Sequence, residues 1–577
     1  MLGVGEVFVC CIAATCLLFK LLPLSLAVTV LVISCVLVYY KFEQKRSYWK
    51  RKGVNGPEGN LFVGTTFIHD KGQHVLDAEW TEKYGKTFGF QVMGQQVLSV
   101  SDLETIKKVF VKEFSCFVNR TQFVPRMSKS NLSLFFYTLI QKKDDDWRNT
   151  RNTITPAFTS GKIKQMIPVF DRCAKIFSEV ISEYSSKNEK LPLKELCGKL
   201  TIDVISRTAL GIQSNVQRDD NEPMLVHAKK VFSTQGISWK ILLVTMFPNV
   251  VLYLQELFGR LLIHHDTHQF YIQTLSDLFE KRLRESANSN SVDFFQLLLS
   301  SMKENEENID TSEDSDIIHK EITEMKGKKK LTKFEILAQA FIFLLAGYET
   351  TATTLHLVIY MLAHHPEIQQ RCRDEIAEVV GDSEVKYEHV IKLKYVDQVI
   401  SETLRMYPPA TRTGRDCNAP IELEGIQLNK GDSVFIPIYM IHHNEEYYPN
   451  PNVFDPERFS PEEKAKRDPL TYLPFGYGPR NCIGLRFAQF ELRVILAVAL
   501  RQFSFTPSED SAALPVEIDT RGLTKPKETL YVNAERLPPA FHISDESNHQ
   551  TIYDQEHKKS DYNSRDSDDY FIPEINI

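Results

Sequence analysis

The segment FGYGPRNCIG, from Phe475 to Gly484, carries the strongest local signal in this sequence. Its three glycines and one proline disfavour a helix or a regular strand, whereas the following residues, LRFAQFELRVILAVAL, have clean helical periodicity. Cys482 is therefore predicted to lie on a tight loop just before a helix N-terminus, where free N–H groups and the helix dipole favour a thiolate. A thiolate beside the aromatic Phe475 and the cation Arg480 suits an iron ligand or a nucleophile, and a buried structural cysteine is the alternative.

A second distinctive feature is a long, almost uncharged helix predicted from Lys333 until Pro366 ends it. Thr332 and Glu335 fit a capping box at its start. At about 31 residues the helix would be roughly 46 Å long. Because it is apolar on nearly all faces, it is expected to be buried in lipid or in a large protein core.

The centre of this helix favours the protein core. Glu349 stands there with Thr350 and Thr351, and an unpaired carboxylate in lipid is costly. Gly347 is also unusual, because glycine weakens a helix interior. These residues indicate either a place where the helix opens to admit a ligand or a local kink whose threonine hydroxyls bond to their own helix.

The N-terminus predicts a membrane anchor. Leu21 to Tyr40 are 20 residues without a charge, enough to span a bilayer core of about 30 Å. The basic residues of 41–52 place that flank in the cytosol. A cleaved signal peptide is the alternative, but the apolar run is too long and no small-residue cleavage site follows. We expect a membrane anchor in residues 1–40, with 21–40 as its main span. A basic flank and a Pro/Gly hinge follow in 41–59. Whether residues 7–19 also cross the membrane stays open.

The amino-acid composition limits the classes of protein to which this chain can belong. The 577 residues are 43% hydrophobic and 25% charged with a formal net charge of −7, which indicates a globular protein and argues against a nucleic-acid binder. The ten cysteines show no spacing of a disulfide framework or a zinc site. Residues 60–544 are predicted to form one mainly helical α+β domain. Residues 545–577 are an acidic tail predicted to be disordered.

Glu402 and Arg405 lie three residues apart on a predicted helix that ends before Pro408. From these residues alone, an exposed i,i+3 ion pair is the simplest interpretation. The alternative is that they pair with each other and with one further charge.

Taken in their order along the chain, the anchor, the long helix, the Glu402/Arg405 pair and the cysteine loop resemble the motifs of the cytochrome P450 family of heme-thiolate monooxygenases. The specific FxxGxRxCxG motif is matched in full by Phe475, Gly478, Arg480, Cys482 and Gly484. The resemblance implies the cytochrome P450 fold, which is mainly α with small β-sheets (α+β), as a single large catalytic domain behind an N-terminal transmembrane helix.

Three further motifs add to the resemblance. They are the ExxR pair Glu402 and Arg405 with Arg458 of the PERF sequence, the AGYETT motif of Ala346 to Thr351, and WRNTR from Trp147 to Arg151, which resembles the family's WxxxR helix. The resemblance covers roughly residues 20 to 540, and the acidic tail has no counterpart in it.

The resemblance also implies the site. The cofactor would be heme b (iron protoporphyrin IX), with Cys482 as axial thiolate and metal ligand. Phe475 would pack beside the thiolate on the loop of Gly478. Thr350 would hold a water molecule and deliver protons during oxygen activation, assisted by Glu349. The heme propionates would be bound by Arg480, Trp147, Arg151 and Arg415, with Arg415 preferred to Arg412.

The implied reaction inserts one atom of O2 into a lipophilic molecule that is a xenobiotic, a steroid or similar to a fatty acid. AGYETT, TRTGRDC and the anchor look most like the animal microsomal clan of drug- and steroid-oxidising enzymes. The alternatives are a heme-thiolate isomerase acting on a peroxide, like thromboxane synthase of the same clan, and a membrane-tethered heme protein that only binds ligands. The Glu349–Thr350 pair disfavours the isomerase, because a peroxide substrate needs no protonation of dioxygen.

Electrons must come from a partner, because the chain shows no flavin- or dinucleotide-binding motif. The resemblance implies NADPH-cytochrome reductase, with cytochrome b5 as a further candidate, at the endoplasmic reticulum membrane with the catalytic domain on the cytosolic face. The reductase is expected to dock near Lys142, Lys143 and Arg148. Substrate contacts are expected at Phe341–Ala346, Pro409–Thr413, Gly522–Leu523 and Ile241–Leu257, the last being predicted as a lip that dips into lipid.

Overall fold

The structure is a computed structural model. It describes residues 4–21, 23–66, 71–122, 134–233, 247, 250, 265–285, 294–296, 298–299 and 331–538. The predicted acidic tail lies outside the described residues, and so does nearly all of the predicted lip at 241–257.

The described elements are mainly helical, which confirms the predicted fold class. The helices are α1 (Val4–Leu21), α2 (Leu24–Arg46), α3 (Tyr48–Arg51), α4 (Gln73–Tyr84), α5 (Leu103–Lys107), α6 (Asp144–Ile154), α7 (Ser160–Ser186), α8 (Leu193–Ile205), α9 (Pro223–Ser233), α10 (His265–Glu285), α11 (Lys333–His364), α12 (Pro366–Val379), α13 (Tyr387–Val390), α14 (Lys394–Met406), α15 (Ile438–His442), α16 (Pro461–Ala465) and α17 (Leu485–Gln502).

The strands are short and form small sheets. They are β1 (Thr87–Val92), β2 (Gln95–Val100), β3 (Leu191–Pro192), β4 (Thr413–Asp416), β5 (Ile421–Leu423), β6 (Ile426–Leu428), β7 (Ser433–Ile436), β8 (Phe503–Pro507), β9 (Ile518–Asp519), β10 (Lys525–Pro526) and β11 (Tyr531–Arg536). The largest described sheet has the order β1-β2-β7-β4, in which β2 and β7 are parallel and the other neighbours antiparallel. A three-stranded sheet has the order β3-β11-β8, and β9/β10 and β5/β6 are antiparallel pairs.

Helix α11 is the axis of the core, as its sequence predicts. The predicted capping box is present, since Thr332 Oγ1 accepts from the N–H of Glu335 and Glu335 Oε2 accepts from the N–H of Thr332 at 2.8 Å. The helix runs 32 residues to His364, and Pro366 begins the next helix. It packs against α8, and α7 packs against α17, so a large apolar core surrounds the predicted site.

Two described helices are long and apolar enough to cross a membrane, α2 and α11. Only 6% of the apolar window of α2 is buried, against 72% of that of α11, so α2 fits an anchor and α11 a protein core. The basic flank after α2 packs on the main sheet. The Trp49 indole N–H donates to the Phe90 carbonyl at 3.1 Å, and the Tyr48 hydroxyl donates to Asp432 at 2.6 Å.

Candidate active site

The cysteine loop has the predicted local structure. The backbone N–H of Cys482 donates to the carbonyl of Phe475 at 2.8 Å, which closes the loop, and α17 begins at Leu485. Gly478 has φ +74°, and a Cβ there would lie 2.3 Å from the carbonyl oxygen of Phe110. Both the left-handed backbone and this close approach require glycine at this position.

The thiol of Cys482 is accessible, and its exposed surface faces an internal cavity. Desolvation raises the pKa of this thiol, although the N–H of Gly484 and the guanidinium groups of Arg120 and Arg151 oppose the rise. The N–H of Gly484 thus favours the thiolate, as expected just before a helix N-terminus, whereas burial disfavours it. A metal ion that coordinates the sulfur supplies the missing charge, since a coordinating thiol is deprotonated outright.

The cavity has a volume of about 340 Å³ and lies between the cysteine loop and α11. Thr350 and Cys482 both line it. Three of the segments predicted to contact substrate contribute to its wall, through Ile342, Phe343, Ala346, Pro409, Ala410, Arg412, Thr413 and Leu523. Three aromatic side chains of the wall also pack on one another, with Phe343 4.3 Å from Phe294 and 5.1 Å from Phe158 between ring centroids. The cavity is therefore mostly apolar.

One part of the wall is strongly basic. Arg120, Arg151, Arg415 and Arg480 line the cavity, and none of them forms an ion pair with a described carboxylate within 4.0 Å. Arg151 donates to the carbonyl and the side-chain oxygen of Asn481 at 2.9 and 3.0 Å. Both acceptors are neutral, so they do not compensate the positive charge of Arg151.

Arg480 and Trp147 form the centre of this basic wall. The Arg480 guanidinium donates to the carbonyl oxygens of Val118 and Lys142 at 2.5 and 2.6 Å, and it lies 4.6 Å from the centroid of the Trp147 ring. Burial, with Arg120 nearby, lowers the pKa of Arg480 to about 9. Burial also lowers the pKa of Arg415, and Arg120 and Arg480 add to that shift.

This wall fits an anionic cofactor. The Nε atoms of Arg120, Arg415 and Arg480 are buried and have no hydrogen-bond partner among the described residues. A cluster of buried cations is costly unless anions pair with it. Two carboxylates, such as the propionates of heme, match this donor set, and a cysteine sulfur in the same cavity offers a ligand for iron.

Arg412 differs from its neighbours in having a partner. Its Nε lies 2.5 Å from Oδ2 of Asp77, and both side chains are buried. Arg120, in contrast, was not predicted from the sequence as a site residue. It is a single arginine in the segment FVNRTQF, and only its placement beside Arg480, whose carbonyl accepts from it at 3.2 Å, reveals a role.

The centre of α11 has a feature of each alternative predicted from the sequence: Thr350 lines the cavity, and its hydroxyl also bonds within its own helix. The Thr350 hydroxyl lines the cavity and donates to the carbonyl of Ala346 at 2.6 Å, which is bonding within the helix. Gly347 is tightly packed, since a Cβ there would lie 3.0 Å from Ile205 Cδ1. Glu349 is not among the described residues that line the cavity. Burial raises its pKa, with Lys194 and Lys525 opposing the rise.

Comparison with known proteins decides the family. The family model of cytochrome P450 matches residues 54–534. The chain belongs to the cytochrome P450 family. It is 35% identical to cytochrome P450 3A11 of Mus musculus over 502 residues, which cover 87% of this chain and 94% of that protein. It is 36% identical to cytochrome P450 3A16 of Mus musculus, covering 88% and 96%, and 33% identical to cytochrome P450 3A28 of Bos taurus, covering 86% and 93%.

Membership of the cytochrome P450 family makes this protein a monooxygenase, an oxidoreductase of the heme-thiolate type. The ExxR pair of this cytochrome P450 is buried. Arg405 donates to both carboxylate oxygens of Glu402 at 2.7 and 2.8 Å, and to the carbonyls of His442 and Pro451 at 2.9 and 2.7 Å. Arg458 Nε lies 3.5 Å from Glu402 Oε1. The simpler interpretation of an exposed pair is therefore wrong, and the three-member charge network exists.

One of the three basic residues expected near the reductase is not available at the surface. Lys142 is buried and lies 2.6 Å from Glu335, so its ammonium group is not available to a partner protein. Lys143 is 3.3 Å from Asp416, and only Arg148 is well exposed, with Asp145 at 2.8 Å.

Proposed function

We propose that this cytochrome P450 is a membrane-anchored monooxygenase that inserts one atom of O2 into a lipophilic small molecule. The electrons come from NADPH through a separate reductase, with cytochrome b5 as a further donor. The anchor and the basic flank support a position in the endoplasmic reticulum membrane with the catalytic domain on the cytosolic face.

One observation carries the proposal. A single apolar cavity is lined by a cysteine thiol, by guanidinium groups without carboxylate partners and by a threonine hydroxyl. Heme iron held by a cysteine thiolate supplies oxygen activation, because the thiolate pushes electron density towards the iron.

The residues of the chain have distinct roles in this proposal. Cys482 binds the iron, and Phe475 packs beside it on the loop that Gly478 permits. Trp147 forms part of the same wall as the arginines. Arg120, Arg151, Arg415 and Arg480 would hold the propionates. The Nε atoms of Arg120, Arg415 and Arg480 have no partner among the described residues and would make charge-assisted hydrogen bonds to them.

Proton delivery is assigned to Thr350 and Glu349. The Thr350 hydroxyl donates to its own helix, which leaves its oxygen lone pairs to hold a water molecule in the cavity. Glu349 lies off the cavity wall, near Lys194 and Lys525, and its raised pKa suits a group that takes up and passes on a proton.

The cavity supports a lipophilic substrate. Its aromatic wall of Phe158, Phe294 and Phe343 excludes water and favours apolar surface. The proposed substrates are therefore lipophilic small molecules, namely xenobiotics, steroids or compounds similar to fatty acids.

The test is reconstitution of the full-length protein with NADPH-cytochrome reductase in lipid vesicles, with a panel of steroids and fatty acids under 18O2. We expect a hydroxylated product that carries one 18O atom and forms only with both NADPH and reductase. Cys482→Ala should abolish product and the reduced carbon monoxide spectrum of a thiolate-bound heme, whereas Cys372→Ala should keep both. Turnover of a peroxide substrate without NADPH, and no 18O incorporation, would instead establish the isomerase.

A further inference from the structure

Two cysteines from distant parts of the chain meet beside the basic wall. Cys116 ends a short 3₁₀ helix, and Cys417 follows strand β4. The N–H of Asn418 donates to the carbonyl of Cys116 at 2.8 Å, and the N–H of Asp416 donates to the carbonyl of Asn119 at 2.8 Å. Because the first bond joins the carbonyl of Cys116 to the residue after Cys417, the two cysteines lie on directly neighbouring backbone segments, and a disulfide requires such proximity.

The side chains share one environment. Both belong to the apolar cluster beneath the main sheet, Cys417 within it and Cys116 packed against it. Burial raises the pKa of Cys417 to about 11, and Cys116 is near enough to contribute. The Cys417 thiol donates to the carbonyl of Ala419 at 2.8 Å. Cys116 is partly exposed, whereas Cys417 is buried, so the pair consists of one accessible thiol and one shielded thiol.

We propose that Cys116 and Cys417 are an oxidation site that forms a disulfide when the protein meets hydrogen peroxide. The Cys116 thiolate attacks one peroxide oxygen, the O–O bond breaks, and a sulfenic acid and hydroxide result. The Cys417 sulfur then attacks the sulfenic sulfur, the S–O bond breaks, and the leaving hydroxide takes the Cys417 proton as water. In total two thiols are oxidised, and one hydrogen peroxide is reduced to two water molecules once the first hydroxide is protonated.

A disulfide between Cys116 and Cys417 would affect the cofactor site. Arg415 lies two residues before Cys417 on β4, and Arg120 lies four residues after Cys116. The carbonyl of Val118, between Cys116 and Arg120, accepts from Arg480. A disulfide would therefore join covalently two of the segments that carry the basic wall, those of Arg120 and Arg415. It closes a very long loop, so it is expected to raise the thermal unfolding midpoint by about 5 °C.

The experiment uses the full-length protein with its heme in detergent. The protein is treated with hydrogen peroxide, free thiols are blocked with N-ethylmaleimide, and a non-reducing digest is analysed by mass spectrometry. We expect a linked peptide that contains Cys116 and Cys417 and disappears with dithiothreitol. The thermal midpoint should rise by about 5 °C and return after reduction. The reduced carbon monoxide spectrum, recorded in parallel, verifies that the heme site is intact.

The variants decide the assignment. Cys116→Ser should remove both the linked peptide and the thermal shift, and it changes only a partly exposed side chain. Cys372→Ala, which removes a buried cysteine elsewhere in the core, should keep both effects. The proposal is overturned if Cys116 proceeds to sulfinic acid while Cys417 stays reduced, if Cys116 links to another cysteine, or if peroxide leaves both thiols unmodified.

Discussion

The ammonium group of Lys142 lies 2.6 Å from Oε1 of Glu335, and both side chains are almost fully buried. The pair joins the segment before α6 to the N-terminal cap of α11. Burial raises the pKa of Glu335, but the hydrogen bonds from Lys142 and Thr332 outweigh it and lower the pKa overall. Lys142 therefore holds the central helix in place beside the basic wall.

Lys142→Met should lower the free energy of unfolding at pH 7 by about 3 kcal/mol, because it leaves a buried carboxylate unpaired. The pKa of Glu335 is lower in the folded protein than in the unfolded chain. The stabilisation by its ionised carboxylate is therefore fully present above the unfolded-state pKa of Glu335, and it is lost as the pH falls through the folded-state pKa. Urea unfolding at pH 7 and at low pH checks both points. Arg148→Gln, which breaks an exposed pair, should cost less than about 1 kcal/mol. A slower reductase reaction of Lys142→Met with unchanged stability would contradict this account.

Arg412→Met and Arg415→Met should have different effects, Arg412→Met on folding stability and Arg415→Met on heme content, although the residues lie three apart. Arg412→Met leaves the buried Asp77 carboxylate unpaired and should cost about 3–5 kcal/mol of folding free energy. Arg415→Met removes a buried cation without an ion-pair partner, so the heme-free protein should not lose stability while its heme content falls. The measurements are urea unfolding of the heme-free protein and the ratio of heme to protein after purification. Full heme content in Arg415→Met would remove this arginine from the proposed propionate site.

The buried network of the ExxR pair should be far more sensitive than a surface pair. Arg405→Ala removes the guanidinium group that donates to both oxygens of the Glu402 carboxylate and to two backbone carbonyls, and it should cost at least about 3 kcal/mol. Arg371→Ala breaks an exposed pair with Glu457 and should change stability by less than about 1 kcal/mol. Yield of folded, heme-bound protein and the urea midpoint report the difference. Equal losses in the two variants would show that burial does not determine the cost.

Thr350→Ala should separate electron use from product formation. The variant removes the hydroxyl that is proposed to hold the proton-delivering water, so product per NADPH should fall about tenfold or more while NADPH oxidation continues. Product, NADPH and released hydrogen peroxide are measured together in the reconstituted system. Thr350→Ser should restore coupling, and Thr353→Ala, which changes a buried threonine outside the cavity wall, should leave it unchanged. Unchanged coupling in Thr350→Ala would exclude this residue from proton delivery.

The features that sequence predicts well are local ones. The cysteine loop before α17 and the cap and length of α11 follow from glycine, proline and apolar spacing within a few residues of each other. Features set by distant contacts were missed. Lys142 looks like a surface lysine until Glu335 is placed beside it, and Arg120 has no motif until the fold brings it to Arg480. Burial likewise outweighs the helix terminus at Cys482, which no local pattern reveals.

His356 should make the protein acid-sensitive. It lies buried in α11, and burial lowers its pKa to about 3, with Lys194 adding to the shift and the backbone of Ala352 opposing it. In the unfolded chain the imidazole of His356 has a pKa of about 6.5, so it takes up a proton that the buried imidazole of the folded protein does not. The free energy of unfolding therefore falls as the pH drops below about 6.5. At pH 5 this amounts to about 2 kcal/mol. His356→Leu should remove that difference between pH 8 and pH 5 in urea unfolding, and a variant with the full wild-type pH dependence would exclude His356 as its source.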